Sequence, residues 1–190
     1  MTEGVFAAHT DPDAPERPVH RLDAHLKGVS EQARKFAHPF GGGEWAELAG
    51  LWHDLGKYHP EFQKYLRNDP DAHVRDGRTG RKRGVNHSLG GALWAMKRFG
   101  HHDRRSRVLA YLIGCHHSGL TDWHGGLGNR LCDENELALF EAMEAQAIPA
   151  DILAAPLPRT NPPPGAGAEF GRSLWIRMLF SCLVDADFLD

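Results

Sequence analysis

Apolar residues recur at helical spacing along most of this chain. Leu22, Leu26, Val29, Ala33 and Phe36 form one stripe and predict a helix over about residues 21–37. "HPFGGG" at 38–43 breaks it. Trp45, Leu48, Ala49, Leu51, Trp52 and Leu55 predict a second helix over about 44–56, with Gly56 near its end as a stop signal. Pro60 suits the first turn of a short third helix, "PEFQKYLRN". A fourth begins near His87 and runs through "SLGGALWAMKRF". A fifth covers about 103–117 with Val108, Leu109, Leu112 and Ile113 apolar, and a sixth is "DENELALFEAMEAQA", whose opening acids complement the helix dipole. The last runs from about 169 to 190. Residues 69–86, "SGLTDWHGGLGN" and 148–168 read as loops, and residues 1–20, rich in Pro and Asp, as an extended arm. No strand and no repeat stands out. The expected fold is all-α, one domain over residues 21–190 behind that arm.

The pattern is interrupted by polar residues in apolar helical surroundings. His25, the pair His53-Asp54, His87, the doublet His116-His117 and acids of the last helix all fall there. Burying such a group unpaired costs roughly 1–3 kcal/mol. A lone core histidine is ordinarily a hydrogen-bonded structural residue, but this many on several helices need something to satisfy them together. Imidazoles with carboxylates suit divalent transition metals, and facing helices of a bundle can build a dinuclear site. Of the 13 histidines, His9, His20, His38, His59, His73 and His124 lie in polar or loop-like surroundings and read as incidental.

Composition narrows the class. No apolar run is long enough for a membrane span, and no secretory signal is evident at the N-terminus. Cys115, Cys132 and Cys182 are odd in number, far apart and without C-x-x-C, which fits a reducing cytoplasm and argues against a disulfide framework or a thiolate zinc site. Net charge is −3, yet residues 64–107 hold 12 of the 22 Lys and Arg, in clusters at 75–83 and 97–107. A basic stretch beside a hydrolytic site favours a polyanionic substrate, though a solvated surface is the commoner reading of a charge run.

The motifs "HLKGVSEQA", "LWHDLGKYHPEFQKYL", "NHSLGGAL", "CHHSGL" and "LFSCLVDADFLD" together resemble the HD-superfamily metallohydrolases. Within these, HD-x-GK followed by "FQKYL", and the "HHSGL" run, resemble the HD nuclease domain of the CRISPR-associated nuclease–helicase of type I systems. The resemblance covers about residues 20–190. It implies two metal ions, one on His25, His53, Asp54 and a C-terminal Asp, the other on Asp54 as bridge with His87, His116 and His117. Asp185 and Asp187 lie about 200° apart on a helix, and periodicity does not choose between them; the family's "AD" ending favours Asp187. Mn, Ni, Co and Fe are the implied metals, with Mg disfavoured by the imidazoles.

The implied reaction is hydrolysis of DNA phosphodiesters, mainly in single strands, with a superfamily 2 helicase domain or subunit and a crRNA-guided surveillance complex (Cascade) as partners and no membrane. Lys57, four residues after His53, either faces the site, holding a phosphate or orienting water, or ends the helix in solvent. Ser88 either positions substrate or is a helix-start hydroxyl with a structural hydrogen bond. Arg81, Lys82 and Arg83 are candidates for phosphate contacts, and Trp123 for stacking a base. Two rivals share the ligands: a phosphohydrolase of small nucleotides, and a metal-stabilised adaptor without catalysis.

Overall fold

The first long helix, α1 (Leu22–Ala37), buries Leu22, His25, Leu26, Val29, Ser30, Ala33 and Ala37 along one face, the spacing its apolar stripe predicts. Phe36 turns outward instead. This computed structural model describes residues 5–9, 20–68, 86–159 and 169–190. A short 3-10 turn, His38–Phe40, carries the chain to Gly41, whose φ of 73° lets it reverse. The next helix, α2 (Gly43–Trp52), is buried nearly all round through Trp45, Ala46, Leu48, Ala49, Gly50 and Trp52, and lies at the centre of the bundle. Around it pack α1, α4 (Ser88–Phe99), α5 (Arg104–Cys115) and α7 (Glu169–Leu189); α3 (Pro60–Asn68) and α6 (Glu134–Glu144) complete the set. The architecture is all-α, as the periodicity predicts.

Three local features depart from the pattern. The predicted second helix ends at Trp52; His53 and Asp54 lie in a turn, followed by a 3-10 turn, Leu55–Tyr58. The supposed connector after 148 holds a one-turn helix, Ala150–Leu153, whose Ile152 carbonyl accepts from the Trp52 indole at 2.8 Å. Two strands absent from the helical pattern, β1 (Ala7–His9) and β2 (His20–Arg21), pair antiparallel and lie on α1, with Ala8 in the core. All three cysteines are free.

Gly56 is not a left-handed helix stop, since it is absent from the glycines with positive φ. It marks a close crossing: a Cβ there would overlap the His87 carbonyl oxygen. Gly56→Ala is therefore expected to push His87 away and cost about 1–3 kcal/mol, the usual penalty of overpacking. A urea unfolding midpoint equal to the parent's would refute this.

Candidate metal centre

The last carbonyls of a helix have no partner within it. At the end of α2, His53 occupies the cap position and its Nδ1 donates to the Gly50 carbonyl at 2.7 Å. At the end of α5, His116 does the same to the Ile113 carbonyl at 2.6 Å. A carbonyl only accepts, so each ring carries its proton on Nδ1 and presents Nε2 to the interior. Both helices also aim the negative end of their dipoles at this point, which favours cations.

Asp54 sits between these rings with 0% exposure. Its two oxygens face different partners. Oδ2 lies 3.5 Å from His25 Nε2 and 3.3 Å from His53 Nε2. Oδ1 lies 3.5 Å from both His87 Nε2 and His116 Nε2. Asp187, on α7, joins the first group with Oδ1 3.4 Å from His25 Nε2 and 3.2 Å from His53 Nε2. His117 joins the second, its Nε2 2.7 Å from His87 Nε2. The result is two donor groups sharing one carboxylate, His25–His53–Asp54–Asp187 and Asp54–His87–His116–His117.

Charge makes the groups unequal. Burial pushes His53 down, but the adjacent Asp54 and Asp187 carboxylates raise it to about 10. His25 is raised in the same way, against its burial, by Asp187 and Asp54. Burial opposes the ionisation of Asp54 and Asp187, yet Lys57 and His53 for the former, and His53 and His25 for the latter, hold both below the usual carboxylate range. In the second group burial holds His87 well below the ordinary imidazole value. His117 shows an edge to solvent, but desolvation of its inward side and the neighbouring His116 lower it to about 3.

These residues fit a divalent metal. His25 Nε2, His116 Nε2 and both Asp54 oxygens are buried yet take no hydrogen bond; Lys57 Nζ, 2.5 Å from Oδ2, pairs with it as a charge. Unpaired buried groups cost about 1–3 kcal/mol each, a cost that a shared cation removes. Imidazole nitrogens and carboxylate oxygens are a transition-metal donor set. Bonds of about 2.1 Å in a tetrahedral arrangement space donors about 3.4 Å apart, and the contacts around Asp54 and Asp187 measure 3.2–3.5 Å.

The seven residues expected to be ligands thus come together. Asp185 points to solvent. Lys57 is 1% exposed and faces the cluster, although no continuous helix connects it to His53. The Ser88 hydroxyl donates to the Asn86 side-chain oxygen at the start of α4, a structural hydrogen bond. Arg81, Lys82 and Arg83 lie outside the described residues. In the second basic cluster, Lys97 pairs with Glu144 and Arg105 with Asp103, and the Arg107 guanidinium already covers Trp123, 5.5 Å from its ring centre. Asp190, whose Oδ2 accepts from His25 Nδ1 at 2.8 Å, orients that ring from behind. His9 and His20 are not incidental: the ribbon sets them beside His25. Their signal, two strands of three and two residues, is too short to read from periodicity.

A helical bundle whose core helices end on such a cluster defines an HD-type, metal-dependent hydrolase. Residues 8–164 match the family described as the HD domain of Cas3, and the chain belongs to that family. It is a CRISPR-associated HD domain of the metal-dependent nuclease class. The match stops short of Asp187, whose place rests on the geometry above. Comparison with curated proteins finds no match. Among the described residues no helix is long and apolar enough to cross a membrane.

Proposed function

We propose that this chain hydrolyses phosphodiester bonds of DNA, mainly in single strands, using two divalent transition-metal ions. Its partners in this reading are a superfamily 2 helicase domain or subunit and a crRNA-guided surveillance complex, in the cytoplasm. The observation that carries it is Asp54, whose two oxygens face two separate sets of imidazoles. His25, His53, Asp54 and Asp187 would hold one ion; Asp54, His87, His116 and His117 would hold the other. Bound ions of this kind make water nucleophilic near neutral pH and offset charge on the attacked phosphate. Helix-end carbonyls fix the rings of His53 and His116, and Asp190 fixes His25, so the donors are set before substrate arrives. Lys57 keeps Asp54 ionised and places a positive charge where a phosphate must be accommodated. Several imidazoles favour Mn, Co, Ni or Fe over Mg.

The test uses metal-depleted chain supplied with Mn, Co, Ni, Fe or Mg in turn. Cleavage of linear and circular single-stranded DNA is expected with the transition metals and little with Mg. Turnover of free nucleotides with both DNAs intact would replace this reading with a small-nucleotide phosphohydrolase. Metal uptake without turnover of either would leave an adaptor.

A further inference from the structure

The ribbon's register sets His9 opposite His20. Residues opposed across an antiparallel pair share a face, and the two rings meet edge to face with centres 4.8 Å apart. That face lies against α1, with His9 and His20 ring centres 5.8 and 5.5 Å from that of His25. His9 Nε2 is 3.2 Å from His20 Nδ1, and the three histidines offer donor atoms within 4.8 Å of one another. Asp190 reaches the same place: its Oδ2 lies 3.7 Å from His20 Nε2 as well as 2.8 Å from His25 Nδ1. Gly28 leaves room for this carboxylate, since a Cβ there would overlap Asp190 Oδ1.

His25 serves the principal cluster through Nε2, so its Nδ1 and Asp190 mark a boundary. On the far side stand His9, His20 and the remaining capacity of the carboxylate. We propose that His9, His20 and Asp190 form an accessory site for a divalent transition-metal ion, joined to the principal cluster by the Asp190–His25 bond. Two imidazoles and a carboxylate are a suitable donor set. A half-turn of the His20 ring puts Nε2 where Cε1 now stands, facing both His9 Nε2 and Asp190; ring orientation of this kind follows the bonding partners present. His9 and His20 are half-buried, which leaves room for water to complete the coordination. An ion here clamps a ribbon too small to hold itself and steadies Asp190, hence the His25 ring. The proposal concerns these three donors and stands whether or not the principal cluster cleaves DNA.

The test counts metal. Tag-free chain, stripped with chelator and equilibrated with excess Co(II), is freed of unbound ion and analysed by mass spectrometry. The parent is expected to retain one equivalent more than His9→Gln/His20→Gln, and to gain more in melting temperature from Co(II). Asp54→Asn, which removes the shared ligand of the principal cluster, is expected to keep that equivalent. Equal retention by parent and double variant, with the variant folded by circular dichroism, overturns the site and leaves a chain of polar contacts from His9 to His25. Should the double variant fail to fold, the single His9→Gln variant carries the same count: one equivalent lost supports the site, none lost overturns it.

Discussion

Asp54→Asn is expected to lower DNA cleavage by at least about 10³-fold, the upper range for loss of one preorganised electrostatic group, and to empty both halves of the principal cluster. The amide keeps the volume of a fully buried side chain while removing the charge that both donor groups share. It also removes the carboxylate that faces Lys57 and leaves the protonated His53 with Asp187 alone. Removing one partner of a buried ion pair costs about 3–5 kcal/mol, so the variant's urea midpoint should fall. Adding Lys57→Met should restore much of that stability and none of the cleavage. Lys57→Met alone separates the roles: metal retention persists while cleavage drops by about 10²–10³-fold. If Asp54→Asn cleaved DNA at the parental rate, Asp54 would not be the shared ligand, and activity in the preparation would come from a contaminant.

The second large effect is on pH. In the metal-free chain His53 is raised from 6.5 to about 10, so its stabilisation is complete below pH 6.5 and is lost as pH rises through about 10. His87 and His117 are depressed, the latter to about 3. The unfolded chain takes up their protons first, so they cost stability as pH falls below 6.5. Asp54 and Asp187, both below the ordinary 3.8, stabilise above that value and lose the contribution only in stronger acid. Thermal unfolding in chelator should therefore show a stability maximum near pH 6.5, with loss on both sides. Metal uptake divides likewise. A cation entering beside His53 must displace a proton, whereas His87 and His117 are already neutral. From pH 8 to 6 the His53 group should weaken by about tenfold per unit while the His87 group changes little. Calorimetric titration in buffers of different ionisation enthalpy would show one proton-releasing step and one without. Two steps equally insensitive to pH would contradict this asymmetry.

Helices and buried histidines were legible because both follow a period of 3.6 residues. His25, His53, His87 and His116 interrupt apolar stripes, and an unpaired imidazole in a core demands a partner whatever the fold. What remained hidden depends on the path of the chain between elements. Asp185 and Asp187 are equivalent to a periodicity argument; packing of α7 against α1 and α2 sends Asp187 inward. Lys57 reaches the cluster from a 3-10 turn and not along a helix, so helical spacing from His53 could not choose between its two open orientations. Gly56 looked like a stop because glycine commonly ends helices, while its use is to let the His87 backbone cross. His9 and His20 are paired by a register only tertiary structure sets, and nothing local to either announces the other.

The meeting of α2 and α5 at their C-terminal ends bears on how substrate is held. Two negative helix poles and the carboxylates of Asp54 and Asp187 converge on one spot, and a DNA strand brings further negative charge. In the metal-free chain the protonated His53 and Lys57 offset the Asp54 and Asp187 carboxylates, and entering divalent ions turn the spot net positive. Under the proposed function, the polyanion is therefore held more strongly by the ion-loaded cluster than by the metal-free one, and the availability of metal sets how firmly the chain engages its substrate.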